Sequence, residues 1–491
     1  MFLGRQEYLE DLETLWRKRT CSIVACRGRR RIGKSTLFRE FARRTADVYI
    51  EIEGLPPNSP ETARAVDDAR LNQVQLDNFI DVLATTTGCS HEPVHSWYEA
   101  FARLEKQIDD SKRTVVLLDE ISWMGMYDMN FPGRLRTAWE TLFHRHERLI
   151  LGVCGSVSAW IKENILDNTG FTGRFSRDYV LSELPLSVCA QFWGEARNRV
   201  APREILDVLS VTGGVPRYLE EIDPGLSADE SIRRMCFLKS GELFKDFDAI
   251  FNPMFGESIG IKRRLLVELA KGPRSGGELA EILDIGRNGR LSRMLRELEE
   301  GGFISSDAGK NPETGDEARV GKYRLRDNYT RFYLKYIAEH KDEIERGVFR
   351  YMSLEHLPEW NTIMGLQFEN LIVNNAMELV PFLGLGNAVV LSAAPYRHER
   401  RLGVGQKPGC QIDLLVQTAR TAYVVEVKRK KSIGVEIEEE VASKIKRLPL
   451  RKGMSARPVL VYDGELDGAV EGNGYFDAII PACKLLEIAS S

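Results

Sequence analysis

Gly28, Gly33, Lys34 and Ser35 stand in the order G-x-x-x-x-G-K-S, with Thr36 next and a helix-forming stretch, Leu37 to Arg44, behind them. That spacing suits a loop wrapped around a phosphate chain, because two glycines let the backbone turn its N–H groups inward and the following helix start adds a positive dipole. Gly28, Gly33, Lys34, Ser35 and Thr36 are therefore nucleotide-binding candidates. Lys34 is expected on the β- and γ-phosphates, and Ser35 on the Mg²⁺ that arrives with ATP. Such a loop needs acids at the end of a buried strand, and Thr114-Val115-Val116-Leu117-Leu118 runs straight into Asp119-Glu120. Ligands bind at the C-terminal edge of open α/β sheets, which places Asp119 to hold the magnesium shell and Glu120 to orient or deprotonate water. A third apolar run, Arg148 to Cys154, leads to Gly155-Ser156. Ser156 reads either as a sensor of hydrolysis or as the N-cap of the next helix.

A second set of chemical residues lies in the tail. Ile412 to Val416 and Ala422 to Lys428 read as two strands. If Thr418 to Thr421 form the turn between them, Asp413 stands opposite Glu426, and directly opposed residues share a face. Lys428, two residues further on, points the same way. The other face, Ile412, Leu414, Val416, Tyr423, Val425 and Val427, is then the buried side of a half-buried hairpin. Two opposed carboxylates call for a cation, and oxygen ligands suit Mg²⁺ or Mn²⁺. A lysine beside that metal positions water or stabilises charge in phosphodiester hydrolysis. Glu369, on the preceding helix pattern Gly365 to Ile372, is the expected third carboxylate. Arg429-Lys430-Lys431 are placed to hold a strand by its phosphates.

The elements that carry these residues imply about three domains, since 491 residues exceed what a single core usually holds. The fold class is α/β multidomain: a parallel sheet around the loop with a helical lid over residues 1–225, a winged helix over 226–340, a helical linker over 341–362, and a smaller α/β domain over 363–491. Three short helices with apolar faces at Leu265-Leu266-Leu269, Leu279-Ile282-Leu283 and Leu291-Met294-Leu295-Leu298 are followed by two strands, Phe303 to Ser305 and Lys322 to Leu325. Ser275 and Glu278 have capping-box spacing for the second helix, and Gly301-Gly302 end the third. Arg287, Arg290, Arg293 and Arg296 form a stripe along the last helix that suits DNA phosphates or bases, or, as a solvated face, a protein partner.

Composition adds bounds. With 43% hydrophobic and 29% charged residues the chain reads as an ordinary folded protein. Apolar runs fall far short of the roughly 20 residues of a membrane span, and the N-terminus has no signal pattern, so a cytoplasmic location is expected. The eight cysteines show no C-x-x-C pair, and His144 with His146 reads as the polar face of a helix end rather than a metal site. A net charge of −4 makes any nucleic-acid site local.

Residues 1 to about 225 resemble the archaeal-type ATPase family within the AAA+ and STAND class of P-loop proteins. Phe2-Leu3-Gly4-Arg5-Gln6-Glu7 is similar to that family's F-x-G-R-x-x-E opening, and Gly213-Gly214-Val215-Pro216 to its G-x-P lid motif. Thr169 to Arg174 resembles its G-R loop, which implies Arg174 as an arginine finger toward a neighbouring subunit of a homo-oligomer. The tail resembles the PD-(D/E)XK nucleases at Glu369, Asp413, Glu426 and Lys428. The combination implies an ATPase that controls metal-dependent DNA cleavage, a pairing that suggests defence against mobile DNA. The alternative is a signal-transducing ATPase that binds DNA or a protein through the winged helix, with a non-catalytic tail.

Overall fold

The computed structural model describes residues 2–18, 20–56, 67–255, 259–286, 289–317, 321–398 and 409–487. The chain forms two compact units. The first comprises Met1–Ser182, Asp248–Lys262 and Ser292–Gly302, and the second Glu183–Phe247, Arg263–Leu291 and Phe303–Ser491. Arg287 of the expected arginine stripe lies outside the described residues.

The first unit holds five parallel strands: β1 (Ser22–Arg27), β2 (Val48–Glu53), β3 (Thr114–Asp119), β4 (Leu149–Gly155) and β5 (Phe175–Val180), in the order β2-β3-β4-β1-β5. β3 and β4 are buried along their whole length, as continuous apolar runs require when both faces of a sheet are covered. Alternate residues divide between the two layers. Ile23, Ala25, Val116 and Leu118 face a cluster with Phe79, Trp97, Phe101 and Phe131. Val24, Cys26, Val115 and Leu117 face Leu9 and Leu12 of α1 (Gln6–Leu15) and Leu37, Phe38 and Phe41 of α2 (Lys34–Thr45). Gly152 of β4 must be small, because a Cβ there would lie 2.6 Å from the Phe38 ring. All five strands run the same way, so the loop after β1, the acids ending β3 and Ser156 after β4 open on one edge.

In the second unit, Ser275 and Glu278 make both bonds of the expected capping box on the helix Gly276–Ile282. A two-stranded antiparallel ribbon, β6 (Ile304–Ser305) with β7 (Arg324–Leu325), follows where two strands were expected, and Tyr323 bridges to Arg274. Arg290 of this unit is exposed, as are Arg293 and Arg296, which belong to the first.

The tail carries a mixed sheet: β8 (Ser392–His398), β9 (Cys410–Gln417), β10 (Thr421–Ile433), β11 (Ser455–Leu466) and β12 (Ala478–Pro481), in the order β12-β11-β10-β9-β8. β9 and β10 are antiparallel, whereas β10, β11 and β12 run parallel. The expected register holds from Gln417↔Ala422 to Leu414↔Val425. The half-buried hairpin does not. Leu415, Ala422 and Val424, on the face expected to be open, pack with Ile437 and Val441 of the helix Glu436–Arg447 and with Leu460 of β11. β10 is an interior strand, flanked on both sides and covered, so both its faces are buried from Ala422 to Val427.

Candidate functional site

The loop after β1 is built by backbone that ordinary residues adopt reluctantly. Gly28 has φ 141°, Arg31 φ 68° and Gly33, which caps α2, φ 91°. A side chain at Gly28 would also meet the Leu181 carbonyl at 2.5 Å. The Gly28 N–H donates to Ser158 Oγ at 3.1 Å. Lys34 is buried, and its ammonium donates to the Gly28 and Arg29 carbonyls at 3.1 and 3.0 Å, so it lies back across the loop it serves. Ser35 Oγ donates to Asp119 Oδ2, which brings the two expected magnesium groups together. Thr36 sits exposed in the first turn of α2. Of the loop arginines, Arg29 is buried and Arg30 lies over the Trp123 ring at 5.5 Å.

Glu120 has φ 46°, a left-handed conformation rare outside glycine and asparagine. Its Oε2 accepts from both the N–H and the hydroxyl of Ser156, each at 2.9 Å. Burial pushes the Glu120 carboxyl up, while the Lys34 ammonium and the Ser156 bonds pull it back. The following helix is capped at Val157 rather than at Ser156, whose hydroxyl is bound to the glutamate. A phosphate loop, a serine paired with an acid and a buried glutamate held by the neighbouring strand are the arrangement that nucleotide hydrolysis needs.

Residues 2–222 match the family model described as an ATPase domain predominantly from Archaea. This region is an archaeal-type ATPase domain. An uncharacterized protein of Methanocaldococcus jannaschii is 23% identical over 443 residues, covering 88% of each chain. Among solved structures, a Walker-type ATPase of Pyrococcus abyssi is 16% identical over 68% of this chain and 96% of its own, with a TM-score of 0.46. The ORC2 protein of Aeropyrum pernix is 15% identical over 70% and 95%, with a TM-score of 0.44.

Within the ATPase domain the Arg174 guanidinium is paired with Glu140. The lid motif takes its shape from glycine: Gly213 ends the helix Pro202–Thr212 at φ 59°, and a Cβ on Gly214 would lie 2.3 Å from the Leu184 carbonyl. His146 departs from the reading of a polar helix face. It is buried, with Nδ1 2.6 Å from Asp110 and Nε2 3.1 Å from Glu105. Among the described residues no helix is long and apolar enough to cross a membrane.

The tail acids gather around a bulge. β8 pairs Ala394 with Leu415 but Tyr396 with Ile412, so Asp413 and Leu414 together oppose Pro395. The Asp413 carboxylate takes the Val427 N–H at 2.9 Å. Glu426 is 1% exposed and Asp413 8%. Glu426 holds two lysines: Lys428 at 2.7 Å, as its place two residues along the strand implies, and Lys444 at 2.5 and 2.7 Å on its two oxygens. Lys444 comes from the covering helix and is absent from the sequence reading, as is Glu440, which accepts from Lys428 at 3.0 Å and lies 3.3 Å from Lys444. Burial first, and then repulsion by Glu369 on Asp413 and by Asp413 on Glu426, push both carboxyls above the usual carboxylate range, and Lys444 and Lys428 oppose this.

Glu369 lies within the field of Glu426 and is also raised, by burial first. Among the described residues, however, no three His, Cys, Asp or Glu side chains close into a metal-holding group. The expected triad of Glu369, Asp413 and Glu426 is therefore not assembled, because lysines fill the space around Glu426. Arg429 is likewise not available for a nucleic-acid strand, since it pairs with Asp207 and Asp463. Lys430 and Lys431 are exposed.

Proposed function

We propose that the ATPase domain controls phosphodiester hydrolysis of DNA by the tail centre. What carries the reading is a pair of buried carboxylates, Asp413 and Glu426, with Lys428 beside them, in one chain with an ATPase domain. At the nucleotide, Ser35 and Asp119 would hold Mg²⁺, Lys34 would turn from the loop carbonyls to the phosphates, and Glu120 would take the proton of the attacking water.

In the tail the donor set fits a divalent cation. It is all oxygen, it pairs two acids whose charges repel, and Mg²⁺ is commonly bound by one or two carboxylates with water and substrate phosphate completing the shell. Such an ion would supply Lewis acidity at the scissile phosphate. Asp413 uses one oxygen to accept the Val427 N–H and is held in place by it. Lys428 holds Glu426 and would orient water. The exposed Arg290, Arg293 and Arg296 would meet the DNA backbone.

The experiment is nicking of plasmid DNA with Mg²⁺ or Mn²⁺. Wild type is expected to nick, and Asp413→Ala to lose at least about 100-fold, in the range a lost catalytic group costs. Equal behaviour of the two would sink the reading. A second reading, a signalling ATPase with a non-catalytic tail, is favoured by one observation: both Glu426 oxygens already have ammonium partners. It expects ATP hydrolysis with no nicking by any variant.

A further inference from the structure

We infer that Lys444 is a resident counter-cation of the Asp413 and Glu426 centre, holding the place of a divalent metal until a phosphate in the neighbouring groove draws it away. The inference rests on the nuclease reading for its metal and substrate, but its own test is metal binding. Lys444 Nζ lies 2.7 and 2.5 Å from Oε1 and Oε2 of Glu426, a residue with almost no exposed surface. A doubly charged ion on Glu426 would sit within a few ångströms of that ammonium, and like charges at such range in a buried site repel strongly. Metal and Lys444 are therefore alternatives.

Lys444 differs from Lys428 in having somewhere else to go. It stands on the helix Glu436–Arg447 rather than on the strand of Glu426, and it lines an open groove of about 560 Å³. Lys322, Arg397, His398 and Arg447 line the same groove, and among the described residues no Asp or Glu does. His398 Nε2 is buried there without a hydrogen-bond partner among the described residues. A groove of that composition takes an anion with several oxygens, and a phosphodiester is the anion the centre would cut. Glu440, one turn before Lys444 and partly exposed, is already 3.3 Å from the ammonium, so release from Glu426 does not strand the charge.

The measurement is Mn²⁺ binding to the full chain, nucleotide-free, by electron paramagnetic resonance, with thermal melts as the check on folding. Lys444→Met is expected to bind Mn²⁺ at least about tenfold more tightly than wild type, which is about 1.4 kcal/mol. Asp413→Asn in the same background should remove the gain. A short duplex with uncleavable phosphorothioate linkages should tighten Mn²⁺ binding in wild type and leave Lys444→Met unchanged. Equal or weaker binding by Lys444→Met overturns the inference.

Should that variant not fold, Glu440→Gln serves instead: with its second partner gone, Lys444 holds Glu426 harder and Mn²⁺ binding weakens, and unchanged affinity again overturns the inference. The two readings separate cleanly. Tighter Mn²⁺ binding in Lys444→Met without nicking by any variant supports the counter-cation and sinks the nuclease. Asp413-dependent nicking with equal Mn²⁺ affinity does the reverse.

Discussion

At the scale of residues, the nucleotide site was legible because its parts are contiguous. Gly28 to Ser35 fall within eight positions, and Asp119-Glu120 end one apolar run. What the sequence did not carry was the bond between Glu120 and Ser156, 36 residues apart and joined only because β3 and β4 are neighbours. That bond has a measurable consequence. A base must be ionised to accept a proton, and burial raises the Glu120 carboxyl, so the acid limb of ATP hydrolysis should lie above the ordinary glutamate value of about 4.3. Ser156→Ala removes a bond that favours the ionised form. The limb should move further up, with turnover falling more at low pH than at high pH. A kcat profile against pH checks this, and an unmoved limb would mean Ser156 does not tune the glutamate. Glu120→Gln should keep ATP binding and lose about 10²- to 10⁴-fold in turnover, whereas Lys34→Ala should lose tight ATP binding itself, as read by equilibrium titration.

At the scale of elements, strands whose residues repeat the pattern of buried parallel sheet were readable, while edge and interior strands were told apart less well. β3 and β4 were anticipated. β2 and β5 were not, since Val48–Glu53 alternates acids with apolar residues and Phe175–Val180 is largely polar. In the tail, the apolar run Ala388 to Leu391 is not a buried strand: Val389 and Leu391 are exposed and β8 begins at Ser392. The hairpin was misjudged because alternation says nothing of what a third strand and a helix later cover.

A bulge makes an element-scale test. Arg429 pairs with Asp463 and Ser432 with Glu465, leaving Lys430 and Lys431 opposite Gly464 alone. Gly464 has φ 146°, and a Cβ there would stand 1.8 Å from the Lys430 carbonyl. Gly464→Ala must open the β10–β11 pairing, at a cost of about 3 kcal/mol or more. Urea denaturation with hydrogen exchange on β10 and β11 reads it. Wild-type protection of those strands in the variant would contradict the clash.

At the scale of the whole molecule, a sequence read from end to end places boundaries in order, near residues 225, 340 and 362. The chain also returns to the first compact unit twice, at Asp248–Lys262 and Ser292–Gly302. No local pattern announces such a return, because it depends on which surfaces meet after folding. The control proposed for ATP is a property at this scale, and the residue-level variants test it. Lys34→Ala removes the nucleotide, and Glu120→Gln holds the ATP-bound form by blocking its loss. If ATP binding is the signal, Glu120→Gln with ATP should nick DNA at least as fast as wild type, Lys34→Ala should nick at the nucleotide-free rate, and ADP should not substitute. If hydrolysis is the signal, Glu120→Gln should fall to the Lys34→Ala rate while retaining bound ATP. Equal nicking by wild type, Lys34→Ala and Glu120→Gln would leave the two activities independent and end the proposal that one governs the other. A switch has only as much leverage as the difference in affinity between its two states, so a shift from 1% to 99% active requires ATP to favour the active form by about 10⁴-fold. The ratio of ATP affinities with and without bound DNA, taken in Asp413→Ala so that the DNA stays intact, measures the coupling between the two sites, because linkage makes the influence of DNA on ATP binding equal to that of ATP on DNA binding.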